Sequence, residues 1–175
     1  PVAPDEATVL AAYEKAASSW EEILKMDAFK AAFIDPSIIP SVRYDADNTH
    51  TLLMRPVGQI ALVKGLVNAT TSSNGNLSLS EAVRRANKLD YSCAPSSMWR
   101  DTIVRADGRM VARKEAYDLA ARLVSYMIAA EFTSEEAKQR LWEDWNKARG
   151  KDPYAELDEL DEHEQPEDLP QPLQA

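Results

Sequence analysis

Residues 51–69, TLLMRPVGQIALVKGLVNA, constrain the fold more than any other stretch of this chain. A short apolar run, Leu52-Leu53-Met54, is followed by Arg55-Pro56. Val57, Ile60, Ala61, Leu66 and Val67 then recur at helical spacing. Pro56 suits the first turn of a helix, where its missing N–H is not needed. Gly58 lowers helix propensity, so its presence predicts another segment lying against the helix backbone. The reading is a structural hub, with a helix from about Pro56 to Asn68 packing on the helices at either end of the chain. Arg55 and Gln59 are polar residues in an apolar setting. They are candidates for contact with a ligand or phosphate, against the alternative of pairing at a helix boundary.

The flanking sequence also reads as helix. From Asp5 to about Phe33 a long amphipathic helix is expected, broken near Asp27, with Val9, Tyr13, Ala16, Trp20 and Ile23 on one stripe. Core packing is the expectation for Trp20, with a stacking platform as the alternative. Pro36 and Pro40 end that helix, and a loop is expected over 35–48. After a surface loop at 70–78, Ser78 and Glu81 form a capping box for a helix over about 79–89. Leu79, Ala82, Val83 and Ala86 are its expected buried face. Asp107-Gly108, between Ile103-Val104-Arg105 and Arg109-Met110-Val111, predicts a small hairpin or tight loop. The helix over 113–131 is apolar enough to be central, through Tyr117, Ala120, Ala121, Val124 and Ile128. A capping box from Thr133 to Glu136 opens the last helix, which ends at Gly150. Its inward residues are Ala137, Leu141, Trp145 and Ala148.

Charge is distributed unevenly. The net charge is −9, but residues 151–175 hold nine acids and one base. With Pro153, Pro166, Pro170 and Pro172, that tail opposes a packed core, and disorder is expected. Tyr154, Leu157 and Leu160 are candidates for docking or for extending a short acidic helix. Residues 84–122 reverse the balance, with nine bases against five acids. A face built from Arg84, Arg85, Lys88, Arg100, Arg105, Arg109, Arg113 and Lys114 would attract a polyanion. A solvated helical surface is the alternative. No apolar run reaches the length of a membrane span, and no signal-peptide pattern is present. The single cysteine, Cys93, cannot form an intrachain disulfide, which suits a reducing cytoplasm. The first residue is Pro rather than Met, so the chain is expected to be processed, trimmed or part of something longer.

Catalytic patterns are missing. His50 and His163 are the only histidines, and Cys93 has no evident His and Asn partners. There is no Cys/His metal spacing, phosphate loop or dinucleotide fingerprint. Asp45, Asp47 and Asn48 resemble oxygen ligands, but a calcium loop needs a turn glycine and a distant acid, so turn chemistry is preferred. An enzyme would need His50, Asp45 or Asp47, and Arg55 to converge in one cleft.

Three segments together carry a family resemblance. They are Leu52 through Gln59 (LLMRPVGQ), Met98 through Val104 (MWRDTIV), and Ala120 through Met127 (AARLVSYM). In order and spacing they resemble the C-terminal helical half of DGQHR-domain proteins, a group that includes the DndB-type proteins of DNA sulfur modification. The Asp-Gly-Gln-His-Arg run that names the family is absent here. The resemblance implies a bacterial or phage DNA-modification setting and a DNA-binding transcriptional regulator. It implies no catalytic residue.

The expected molecule is a mainly α protein. A single helical domain over 1–150, with about five to six helices and at most a small β-hairpin, precedes a disordered acidic tail over 151–175. The leading function is a non-enzymatic DNA-binding or regulatory domain, cytoplasmic, without cofactor or metal. Its expected partners are double-stranded DNA and other DNA-modification proteins. The alternative is a helical protein–protein interaction or scaffold domain without nucleic-acid contact.

Overall fold

The computed structural model describes residues 3–44, 51–155, 161 and 164–174. The expectations for Asp45, Asp47, Asn48, His50, Leu157, Leu160 and His163 fall outside the described residues.

Among the described residues the chain is helical, and its only sheet pairing is isolated bridges. Seven α-helices follow in order: α1 (Glu6–Ile23), α2 (Asp27–Ile34), α3 (Ile39–Tyr44), α4 (Pro56–Ser72), α5 (Leu79–Ala86), α6 (Lys114–Ala129) and α7 (Glu135–Ala148). Short 3-10 turns sit at Pro36–Ile38, Leu52–Met54 and Ala130–Phe132. No described helix is long and apolar enough to cross a membrane.

The break between α1 and α2 falls where Asp27 predicts it. Over 35–44 the expected loop is corrected, because Pro36 opens a 3-10 turn and Pro40 sits in the first turn of α3. A proline ends the helix before it but fits the start of the next, where no N–H is needed.

The core is built on α4 and α6, which form the largest helix–helix interface. Leu62, Leu66, Leu123, Val124 and Ile128 are almost fully excluded from solvent. Each such side chain stabilises the fold by about 1.5–3 kcal/mol. Two glycines permit the close approach. A Cβ on Gly65 would lie 2.5 Å from the Cβ of Val124 and 3.0 Å from the carbonyl oxygen of Ala121. A Cβ on Gly58 would lie 2.1 Å from the carbonyl oxygen of Leu52, so the Leu52–Met54 turn rests directly on the α4 backbone. The hub reading of residues 51–69 therefore stands in kind but not in partner. α4 packs on α6, α5 and the Leu52–Met54 turn. Ile60 and Val67, expected on its inner face, are exposed.

The other elements are placed by local chemistry. The Ser78 side chain accepts from the Glu81 amide and starts α5. Ser134, not Thr133, caps α7, accepting from the Ala137 amide at 3.2 Å, while Thr133 donates to the Ala129 carbonyl. At the end of α7, Gly150 has φ +77°, and the Lys151 amide reaches back to the Asn146 carbonyl at 3.0 Å. That is the helix stop a C-terminal glycine predicts. Leu141 and Trp145 are buried as expected, but Ala137 and Ala148 face solvent. Around Asp107-Gly108 the chain makes a tight turn, with one antiparallel bridge between Val104 and Met110.

Candidate interaction surfaces

The eight basic residues expected to form one face are divided by the fold. Arg85 is nearly enclosed: it donates to the Ile128 carbonyl and pairs with Glu81 and Glu131. Arg84 forms a two-pronged pair with Glu81 and lines a groove against α2. Those two arginines, Arg84 first, hold the Glu81 carboxyl down at about 2. Lys88 lines a different groove, beside Trp145 and Leu173. Arg100 donates to the Ala106 carbonyl at 2.7 Å, and Arg109 lies 3.7 Å from Asp107. Lys114, exposed in the first turn of α6, lies near Asp118. Arg105 and Arg113 do come together, joined by Arg122, in an open groove of about 1000 Å³ at the start of α6. Asp101, Glu115, Asp118 and Asp144 line that groove too, so its charge is mixed. Arg122 pairs with Asp144 at 2.6 Å, and Asp118 pairs with Lys64.

Arg55 and Gln59 serve the fold. Gln59 donates from its amide to the Leu53 carbonyl at 3.0 Å, and half-buried Arg55 donates to the Arg43 carbonyl at 3.0 Å. Cys93 is fully buried, and burial pushes its thiol up, against a smaller opposing pull from Arg55. A buried thiol with a raised pKa is a poor nucleophile. Burial likewise raises the Tyr91 phenol, which stacks on Trp99 at 5.8 Å between ring centres.

The stripe on α1 is the main correction to the sequence reading. Trp20 is 49% exposed, Tyr13 69% and Val9 53%, and Ala16 is also exposed. Only Ile23 of that helix is buried. The periodicity is real, but α1 meets the domain chiefly through its C-terminal end and α5. Phe33 and Ile34, at the end of α2, are more than four-fifths exposed.

A second surface was not legible from motifs. Residues 164–174 have no regular secondary structure, as tail composition implies, yet they lie against α6 and α7. Asn146 is completely buried, and its side-chain amide reads one residue of the tail on both sides. Its Oδ1 accepts from the Glu167 N–H at 2.8 Å, and its Nδ2 donates to the Glu167 carbonyl at 3.0 Å. The Trp142 indole donates to the same carbonyl at 2.8 Å. The Glu167 carboxylate sits between Arg149, 3.1 Å away, and Lys151. Burial alone would raise that carboxyl. The Lys151 hydrogen bond and the two positive charges outweigh it and lower the pKa. Arg149 is braced over the Trp145 ring at 4.7 Å and donates to the Arg100 carbonyl. The sequence signals for this site were two: an asparagine beside a core-facing tryptophan in α7, and leucines spaced among the tail prolines.

Set beside known proteins, the chain matches no family model, no curated protein and no solved structure.

Proposed function

We propose that this chain is a non-enzymatic helical association domain that pairs with a second copy of itself through α1. The observation that carries this reading is the exposed stripe Val9, Tyr13, Ala16, Trp20, whose last member, Ile23, anchors the helix in the core. Its spacing alternates four and three, the heptad repeat of a helix–helix seam. In an antiparallel pair, Tyr13 falls opposite Ala16 of the second copy and Trp20 opposite Val9. Each aromatic ring then meets a small or aliphatic residue, and two-fold symmetry repeats both contacts. The flanking positions, Leu10, Ala12, Ala17 and Ser19, carry no charge. Glu14, Lys15, Glu21 and Glu22 lie on the far side, so an acidic chain can self-pair there without like charges meeting.

Sedimentation equilibrium tests this at about 0.1 M and 1 M salt, where charge screening differs several-fold. A dimer that persists at high salt and dissociates into folded monomers on Tyr13→Glu with Trp20→Glu is expected. A monomer at every concentration, or a dimer unmoved by that double change, overturns the proposal.

A second reading keeps DNA, within the DNA-modification setting that the DGQHR-domain resemblance implies. Its support is the meeting of Arg105, Arg113 and Arg122 beside the N-terminus of α6, which no side chain caps. Contact with so few phosphates predicts a slope of log affinity on log salt of roughly −2 to −3. Fluorescence anisotropy with duplex DNA measures that slope. Arg105→Ala with Arg113→Ala should flatten it, and absence of binding at low salt counts against this reading.

A further inference from the structure

The contacts to residues 164–174 go beyond what sealing a core requires. Asn146 and Trp142 read the backbone of a single residue, so that position accepts any side chain as far as the clamp is concerned. Arg149 and Lys151, both largely buried, then select an acid there. Leu169 and Leu173 pack on the core, and the Leu173 amide donates to the Met127 carbonyl at 2.9 Å. Pro166, Pro170 and Pro172 each fix φ near the value of an extended chain and bring no N–H to be satisfied in the groove. The tail thus seats in a groove along α6 and α7, and about 380 Å³ beside it stays unfilled, between Met98, Met127 and Trp145 and the tail's own Pro170 and Leu173. The Ser97 hydroxyl, buried on the same path, has no hydrogen-bond partner among the described residues.

We propose that this groove is a binding site for extended acidic peptides of the form Glu-x-Leu-x-x-x-Leu, and that residues 164–174 are its built-in competitor. Backbone reading by a buried amide, charge selection by two cations and leucine seats at fixed spacing are the parts of a peptide-recognition site. A ligand already held extended by prolines loses little entropy on binding. The tail holds the site in cis, where tethering gives it a high effective concentration, so a peptide added in trans binds weakly until the tail is released. This site is separate from α1, and the Tyr13→Glu and Trp20→Glu changes should leave it intact.

The probe is a fluorescein-labelled peptide with the sequence of residues 164–174, EQPEDLPQPLQ, followed by anisotropy against the full chain. Glu167→Arg in the protein turns the tail's acid into a base facing Arg149 and Lys151 and should expel it. Binding in trans should then tighten by about tenfold or more relative to the unaltered chain. A peptide with its Glu167-equivalent changed to lysine, and a scrambled peptide of equal charge, should both bind at least tenfold more weakly than the parent. If Glu167→Arg fails to fold by circular dichroism, Leu169→Ser, which weakens only an apolar seat, is used with the same criteria. A folded, tail-released chain that ignores the peptide makes the tail a structural strap and overturns the proposal. Equal binding of the scrambled peptide reduces it to charge attraction and overturns it as well.

Discussion

α1 and α4 are close in length, 18 and 17 residues, and both repeat apolar residues at helical spacing. One buries seven residues and the other buries one. The difference lies in what each offers besides the stripe. α4 has Gly58 and Gly65, which let the Leu52–Met54 turn and α6 close onto its backbone. Its one charged side chain, Lys64, finds Asp118 on α6. α1 has no glycine, and most of its surface carries alanine, serine and glutamate. An apolar period says which face of a helix avoids water. It does not say whether the cover comes from the same chain or from another.

That contrast can be broken by mutation. The largest effect is expected in the core. Leu62→Ala should cost about 2–5 kcal/mol in urea denaturation, because the fully buried side chain leaves a cavity between α4 and α6. A cost under 1 kcal/mol would mean that the two helices are not the stability centre. Gly65→Ala comes next. Its new methyl group must push Val124 and the Ala121 carbonyl aside, for about 1–3 kcal/mol. A neutral result would show that α6 slides without penalty. Trp20→Ala on α1 should be smallest, within about 0.5 kcal/mol when measured on the dilute monomer. The same change should weaken self-association at high concentration. A loss of several kcal/mol in the monomer would place Trp20 in the core after all.

Acid sharpens the comparison, because an ion-pair cluster joins α5 to the end of α6 on the core side. Glu81 titrates near 2 when folded, below its ordinary 4.5, through hydrogen bonds from Arg84 first and Arg85 second. A depressed carboxyl contributes stability that is fully present above its unfolded value and disappears as pH falls through its folded one. Part of the loss between about pH 4.5 and 2 should therefore vanish in Glu81→Gln, as thermal melts across that range would record. Arg85 links this cluster to Glu131 and the Ile128 carbonyl, so the loss should loosen α5 from the end of α6. An unchanged acid limb would assign the cluster to the solvated surface.

Much of this fold was legible in local residues. Pro56 opened a helix, Gly58 marked a close approach, Ser78 capped α5 and Gly150 stopped α7. Each works within a few residues of backbone, so local chemistry decides it. The sites were less legible. The basic residues of 84–114 are adjacent in composition, but α5, the connecting segment and the start of α6 turn them toward different acids, carbonyls and grooves. Asn146 beside Trp145 hinted at a buried polar group, but its partner Glu167 lies 21 residues away, so nothing local named what it holds.

What the sequence alone determined is where helices start and stop and which faces are apolar, because those depend on caps, prolines and a 3.6-residue period. Only the tertiary structure decided which stripes are covered. It also decided which charges are already paired and that part of an acidic, proline-bearing tail seats in a groove. Those outcomes depend on contacts between residues far apart in the chain, where burial and pairing are settled by what happens to lie opposite.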